Sequence, residues 1–245
     1  MKIKILLPVI FYCFSTVASI AQQEVIDKLL VFYDGEMSIF PSEWLGGKNR
    51  IKAKAAKKSF IVEDSLSIER ALNYYPPSLL VKHIHKVYIL GSLKFQGRQF
   101  TGTNSTRNIY IEGGHKFQTE KTFHHEFSSI LVRNLSNYSF KDEWLKLSPG
   151  LLGGSSADAI KAGYGGIDLD ENLMRDGYLC SYALSNWEND FNMYVENLFC
   201  GGTVFWQFVD KYPAVKKKVD LLISFYNTKV SHMYSEEFFR ELATY

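Results

Sequence analysis

The residues best suited to chemistry lie in one short stretch, Thr122 to Asn134, which contains two histidines and a glutamate. In the pattern H-E-x-x-H, two histidines four positions apart project from one helix face and bind zinc, and the glutamate polarises the metal-bound water as a general base. This chain has His125 and Glu126 in the first two positions, but Ser129 stands where the second histidine is required. A frame that starts at His124 also places a serine four positions further on. The pattern therefore predicts a zinc-type site with one ligand replaced.

The helical spacing of this stretch separates a core face from a second face. The core face has residues at helical intervals, namely Phe123, Phe127, Ile130, Leu131 and Asn134. His125 and Ser129 share a different stripe, which predicts that they line a cleft. The alternative is that His124 and His125 lie on a solvated first turn, with Glu126 near the positive end of the helix dipole.

A second helix further along the chain carries groups that could complete the site. Asn186 or Ser185 is a suitable N-cap for a helix that starts at Trp187, and two glycines predict its end. Three polar residues follow one stripe of this helix at intervals of four, namely Glu188, Asn192 and Glu196. Either Tyr178 or Tyr182, which precede the helix, could donate a hydrogen bond to the oxyanion of a tetrahedral intermediate.

Two strands are predicted to hold the first helix in place. Lys86–Leu93 and Asn108–Glu112 have the composition of buried strands, and a loop rich in Gly, Thr and Asn separates them. Further helices are predicted at 24–32, 65–72, 140–147, 209–226 and 236–243, and the fourth of these carries a basic patch at 216–218. We therefore expect an α+β fold with a small mixed sheet, an active-site helix and a second, mainly helical half.

The N-terminus has the pattern of a signal peptide. Two lysines precede an apolar run from Ile5 to about Ile20, and Ser19 and Ala21 are the small residues that a signal peptidase needs. We expect cleavage after Ala21, export to the periplasm, the cell surface or the medium, and one domain at 22–245. No later stretch reaches the roughly 18 apolar residues of a membrane helix.

Composition excludes one class of partner and leaves the cysteines open. The formal net charge of +2, from 28 basic and 26 acidic residues, gives no electrostatic case for nucleic-acid binding. Cys13 lies within the predicted signal peptide. Cys180 and Cys200 could form a disulfide in an exported protein or remain two buried thiols.

Four segments, taken in order, resemble a known family. They are His124–Ser129 (His-His-Glu-Phe-Ser-Ser), Gly177-Tyr178 with Tyr182, Glu188–Asn192, and Lys218–Leu222. These segments resemble the secreted zinc-binding metallopeptidases of Bacteroidota, which are gluzincin-like zincins distantly similar to the catalytic domain of anthrax lethal factor. That family carries H-H-E-F-x-H on the first helix, E-D-F-A-E on the second and K-V-D-L-L on a later one.

The resemblance, which spans about Lys86 to Tyr226, implies a zincin-like fold, a zinc ion and a role for each matching residue. Glu126 would be the general base and Tyr182 the oxyanion donor. His125 and Glu188 would be zinc ligands, and His124 a further ligand in an unusual coordination.

The departures from the family fall on the metal ligands. Ser129 replaces the second histidine. Alignment on Asp190-Phe191 puts Asn189 at the position of the ligand glutamate and Met193 at that of its supporting residue. A shift of one residue is required for Glu188 to be the ligand.

Two main hypotheses of function follow. The first is an exported zinc metallopeptidase-like protein that acts on a peptide or protein substrate. The second is a non-catalytic zincin-fold protein whose degenerate cleft binds a peptide, a glycan or a partner protein. A purely structural exported domain is a third possibility.

Overall fold

The computed structural model describes residues 22–47, 50–95, 97–155, 161–163 and 165–244, so the predicted signal peptide lies outside the described residues. The strands are β1 (Leu30–Phe32), β2 (Ile51–Lys54), β3 (Lys86–Leu90), β4 (Ser92–Phe95), β5 (Arg98–Gln99), β6 (Gly102–Asn104) and β7 (Asn108–Glu112). Residues 22–29 are helical. The later helices are α1 (Ile61–Asn73), α2 (Pro77–His83), α3 (Lys116–Leu135), α4 (Tyr138–Lys146), α5 (Glu171–Met174), α6 (Trp187–Cys200), α7 (Gly202–Lys211), α8 (Pro213–Phe225) and α9 (Glu236–Leu242).

The main sheet has four strands in the order β1-β3-β7-β6. The first three run parallel, and β6 pairs antiparallel with β7. A smaller antiparallel sheet has the order β2-β4-β5. The α+β class predicted from the sequence is confirmed, but the segment predicted as a loop between two strands contains β5, β6 and part of β4. β5 and β6 are two and three residues long and polar, so they have no alternating apolar pattern.

The edge strand β6 lies directly against α3 because it begins with a glycine. A Cβ atom on Gly102 would lie 2.4 Å from Cγ2 of Thr122 and 2.9 Å from Oε1 of Glu126. Real Cβ atoms do not approach other atoms this closely, so a larger residue would push the strand away from the helix. Gly102 thereby sets the close spacing between the sheet edge and the glutamate of α3.

The largest hydrophobic core packs around α3 and α6. Phe123, Phe127, Ile130 and Leu131 of α3 are all buried, as their spacing predicts, whereas Asn134, predicted on the same face, is exposed. Each such side chain contributes roughly 1.5–3 kcal/mol relative to an exposed one. Within the described residues, no helix is both long and apolar enough to cross a membrane.

The C-terminal half differs from the sequence prediction in one informative place. The helix expected at 209–226 is two helices, α7 and α8, separated at Tyr212 because Pro213 begins the second. Lys218 belongs to no exposed basic patch, because its side chain is fully buried and its Nζ lies 2.6 Å from Oδ2 of Asp190 on α6. The ring of Tyr178 lies 4.3 Å from the same ammonium group. This buried ion pair attaches α8 to α6, and an unpaired buried charge in its place would be costly.

Candidate functional site

A cleft of about 730 Å³ lies between β6, α3 and α6, a volume typical of ligand pockets. The edge strand forms one wall through Gly102, Thr103 and Asn104. The other walls include the side chains of His125, Glu126, Ser129 and Arg133 from α3, of Trp187, Glu188 and Asn192 from α6, and of Tyr182. The structure therefore brings most of the predicted site residues together around one cavity.

Glu126 is a nearly buried carboxyl group at the foot of the edge strand, with 8% of its surface exposed. The Nδ2 atom of Asn104 donates a hydrogen bond of 2.5 Å to its Oε2 atom. Burial raises the pKa of Glu126, and the positive groups of His125 and Arg133 with the Asn104 hydrogen bond only partly oppose that effect. Glu126 can therefore accept a hydrogen bond or hold a proton in the cleft.

His125 is oriented by a carboxylate on α6. Its Nδ1 atom lies 2.8 Å from Oε2 of Glu196, while Lys121 Nζ lies 3.2 Å from Oε1 of the same group. Burial lowers the pKa of His125, but the Glu196 hydrogen bond and the charges of Glu196, Glu126 and Glu188 together outweigh it, so the pKa is raised. Because Nδ1 is engaged by Glu196, Nε2 is the ring nitrogen of His125 that can contact a molecule bound in the cleft.

Ser129 and Asn192 bind each other at the centre of the site. The Asn192 Nδ2 atom donates to Ser129 Oγ at 2.7 Å, and Ser128 Oγ donates to Asn192 Oδ1 at 2.6 Å. All three side chains are buried. Asn192 lies four positions before Glu196, the residue that holds His125. The centre of the cleft is thus occupied by a hydroxyl and an amide that satisfy each other.

Glu188 is committed to an ion pair at the rim of the cleft. Arg133 Nε donates to its Oε2 atom at 3.1 Å, and a second guanidinium nitrogen contacts Oε1. Arg133 also donates to Oδ1 of Asn104 at 2.7 Å. The carboxylate predicted as a metal ligand therefore links α6 to α3, and the arginine extends this link to the edge strand.

His124 does not reach the cleft. It is fully buried on the rear side of α3, where its Nδ1 atom lies 2.9 Å from the Tyr75 hydroxyl and its ring stacks on Phe199 at 4.2 Å. Adjacent residues on a helix point about 100° apart, which explains why His124 and His125 face different surroundings. The structure thus separates His124 from the other predicted ligands.

Tyr182 and Tyr178 also have different surroundings. The ring of Tyr182 lies 6.1 Å from that of His125 and lines the cleft. The Tyr178 hydroxyl instead donates to the carbonyl oxygen of Pro149 at 2.7 Å, beside the buried Lys218. Tyr182 is therefore the phenol placed to contact a bound molecule.

The donor set of the cleft does not fit zinc. Catalytic zinc sites use three His, Cys, Asp or Glu ligands and a water. Among the described residues of this cleft, His125 is the ligand that the H-E-x-x-H pattern requires, whereas Glu188 is paired with Arg133, and Ser129 and Asn192 bind each other. A serine hydroxyl and a neutral amide are weak zinc donors, and here they already bind each other.

Several functional residues were missed from the sequence. Asn104 and Arg133 had no motif to mark them, because their roles depend on β6 lying beside α3. The stripe of Glu188, Asn192 and Glu196 was visible, but the family pattern placed the ligand and its supporting residue at Asn189 and Met193. In the structure, Glu196 holds His125 and Asn192 binds Ser129. The cysteines are not bridged, since Cys180 and Cys200 are both thiols.

Comparisons with known proteins agree with this description at the level of the fold. No protein-family model matches the chain, and no curated protein matches it. The structure is similar to the crystal structure of "a putative zinc-binding metallo-peptidase" from Bacteroides caccae ATCC 43185, with a TM-score of 0.52, 11% sequence identity, and coverage of 93% of this chain and 91% of that chain. At this identity the likeness shows the fold alone. The chain therefore has an α+β fold similar to that of this structure.

Proposed function

We propose that this chain is an exported, non-catalytic zincin-fold protein that binds an extended peptide in the cleft between β6 and α6. Residues 22–245 would act as one domain after removal of the signal peptide. The observation that carries the proposal is the hydrogen bond between Ser129 and Asn192, because Ser129 stands at the second histidine position of the H-E-x-x-H pattern and this bond engages it with α6. The cleft keeps its shape and polar groups without the donors that zinc requires.

The edge strand favours a peptide over other ligands. Hydrogen bonds to β7 flank β6 at Thr101 and Ser105. Because hydrogen-bonded pairs alternate along an antiparallel ladder, Thr103 also faces β7, and the main-chain groups of Gly102 and Asn104 point the other way. These residues line the cleft. An extended peptide can add to such an edge through its own main chain.

The walls of the cleft supply side-chain recognition. The nearly buried Glu126 carboxyl can accept a peptide N–H or an amine, and the ring of Trp187 offers an apolar surface on the opposite wall. Arg133 and Glu188 place opposite charges at the rim. A peptide with a polar or basic residue at the centre and an apolar residue nearby suits these groups.

The test is selection of peptides from a display library, followed by fluorescence polarisation in the presence of a chelator. We expect binding to persist without metal and to be lost on N-methylation of every second peptide amide, as strand addition requires. Glu126→Ala should weaken binding, whereas substitution of the remote, exposed Val62 should not. Binding that is insensitive to N-methylation at every position would overturn strand addition.

A second candidate function is zinc-dependent peptide hydrolysis. It is favoured by one observation, the retention of His125 and Glu126 side by side, with Glu196 orienting the histidine. Zinc-dependent cleavage of the selected peptides, lost in Glu126→Gln, would replace the proposed function by this one.

A further inference from the structure

The rear face of α3 carries a second group of metal-ligating side chains, outside the cleft. Glu120 and His124 lie four positions apart on this helix, and Cys200 reaches them from the end of α6. One ligand atom from each of the three lies within 4.8 Å of the other two. Side chains at i and i+4 on a helix are a common way to place two metal ligands on one face.

The buried imidazole has an unexplained nitrogen. Nδ1 of His124 is engaged by the Tyr75 hydroxyl, but Nε2 is fully buried and has no hydrogen-bond partner among the described residues. Native structures rarely leave a buried polar atom unsatisfied, and a bound ion is one accepted explanation. Burial lowers the pKa of His124 to about 3, so the ring is neutral, the form that binds metals.

The ligands are held by supporting contacts of the kind found around metal sites. Phe199 stacks on the His124 ring at 4.2 Å with an angle of 5° between the planes, which fixes the ring. Arg70 Nε donates to one carboxylate oxygen of Glu120 at 3.0 Å, which orients that carboxylate. With Nδ1 as the protonated nitrogen, His124 would donate to Tyr75 and keep Nε2 for a metal.

We propose that Glu120, His124 and Cys200 form a zinc site on the rear face of α3. One carboxylate oxygen, one imidazole nitrogen and one thiolate are the donor types that tetrahedral zinc takes, with water as the fourth ligand. Glu120 is 15% exposed and Cys200 is half-buried, so the ion and this water can enter from solvent.

Zinc binding at this site requires one proton to leave. Burial and the nearby carboxylates raise the pKa of Cys200, so without a metal the group is a thiol. The sulfur would lose its proton to solvent as the zinc–sulfur bond forms. The bound ion would join α3 to the end of α6.

The test is titration of the chain, purified without chelator or affinity metal, with Co²⁺ as a spectroscopic probe and then with Zn²⁺ in competition. We expect one equivalent of Co²⁺ with a thiolate-to-cobalt charge-transfer band in the near ultraviolet. Cys200→Ser should abolish the band, and Glu120→Gln should weaken binding by more than the ~10–100-fold that supporting residues contribute. Circular dichroism would establish that each variant is folded.

Matched controls separate this site from the cleft. Cys180→Ser removes the other thiol, and His125→Ala removes the cleft histidine, so both should keep the band and the affinity. Absence of metal uptake would overturn the rear site. Metal uptake that His125→Ala abolishes and Cys200→Ser retains would place the ion in the cleft, and would overturn both the rear site and the proposed function. Peptide hydrolysis without that pattern of metal uptake would overturn the proposed function and leave the rear site standing.

Discussion

The two faces of α3 make different use of the same spacing. On the cleft side, His125 and Ser129 are four positions apart, and the serine is bound by Asn192. On the rear side, Glu120 and His124 are also four positions apart, and the imidazole Nε2 has no partner among the described residues. Spacing alone therefore does not make a metal site. The donor atoms must also be free of hydrogen bonds to neighbouring side chains.

Restoration of the missing ligands should produce the largest change. Ser129→His with Asn192→Glu, made in a Cys200→Ser background to silence the rear site, should raise zinc affinity roughly 1,000-fold or more, since each new ligand contributes more than a supporting residue. Zinc competition titration measures the gain. The same variant with His125→Ala should lose it, and no gain at all would mean that the cleft lacks zincin ligand geometry.

Zinc itself should stabilise the protein through the rear face. At a free concentration of about 100 times Kd, a bound ligand adds about 2.7 kcal/mol to the free energy of unfolding. We expect this increase in the parent chain and in His125→Ala, and none in Cys200→Ser. Urea unfolding with zinc or with chelator measures it, and an equal increase in Cys200→Ser would count against the proposed ligand.

Removal of the cleft amide should destabilise the fold without any metal. Asn192→Ala takes the hydrogen-bond partner from the buried Ser129 hydroxyl, and leaving such a group unsatisfied costs about 1–3 kcal/mol. Urea unfolding of Asn192→Ala, Ser129→Ala and the double variant gives the coupling between the two residues. A coupling near zero would show that the hydrogen bond does not hold the helices together.

Loss of the rim ion pair should have the smallest effect on stability. The Arg133 side chain is 48% exposed, so Arg133→Gln should cost only about 0.2–1 kcal/mol. Its effect on peptide binding should be larger, because Asn104 and Glu188 both lose a partner at the cleft wall. Urea unfolding and peptide titration of the same preparation compare the loss of stability with the loss of peptide affinity. A loss of stability well above this range would mean that the ion pair is part of what holds the fold together.

The sequence predicted the helices of the site well, because the local chemistry agrees with the fold. The Asn186 side chain accepts a hydrogen bond from the backbone of Asn189, as an N-cap does, and Gly201 follows the last residue of α6. The apolar spacing of α3 likewise selects the face that packs into the core. Such features depend on residues within a few positions of each other.

The partners across the cleft could not be predicted in this way. Glu188 has the charge of a metal ligand and lies on the helix face that lines the cleft. Its carboxylate is nevertheless engaged by Arg133, which lies far away in sequence. Lys218 looks exposed within a run of lysines, and its burial depends on Asp190 and an aromatic cage on other elements. The role of β6 was hidden because its short polar sequence has no strand periodicity.

The hydrogen bond between Ser129 and Asn192 has a consequence for how the protein matures. Where an ion joins two helices, assembly of that region waits for metal supply. Here the side chains that meet at the centre of the cleft come from the chain itself. The contact between α3 and α6 at the centre of the cleft would therefore form as the polypeptide folds, whether or not an ion is bound on the rear face of α3.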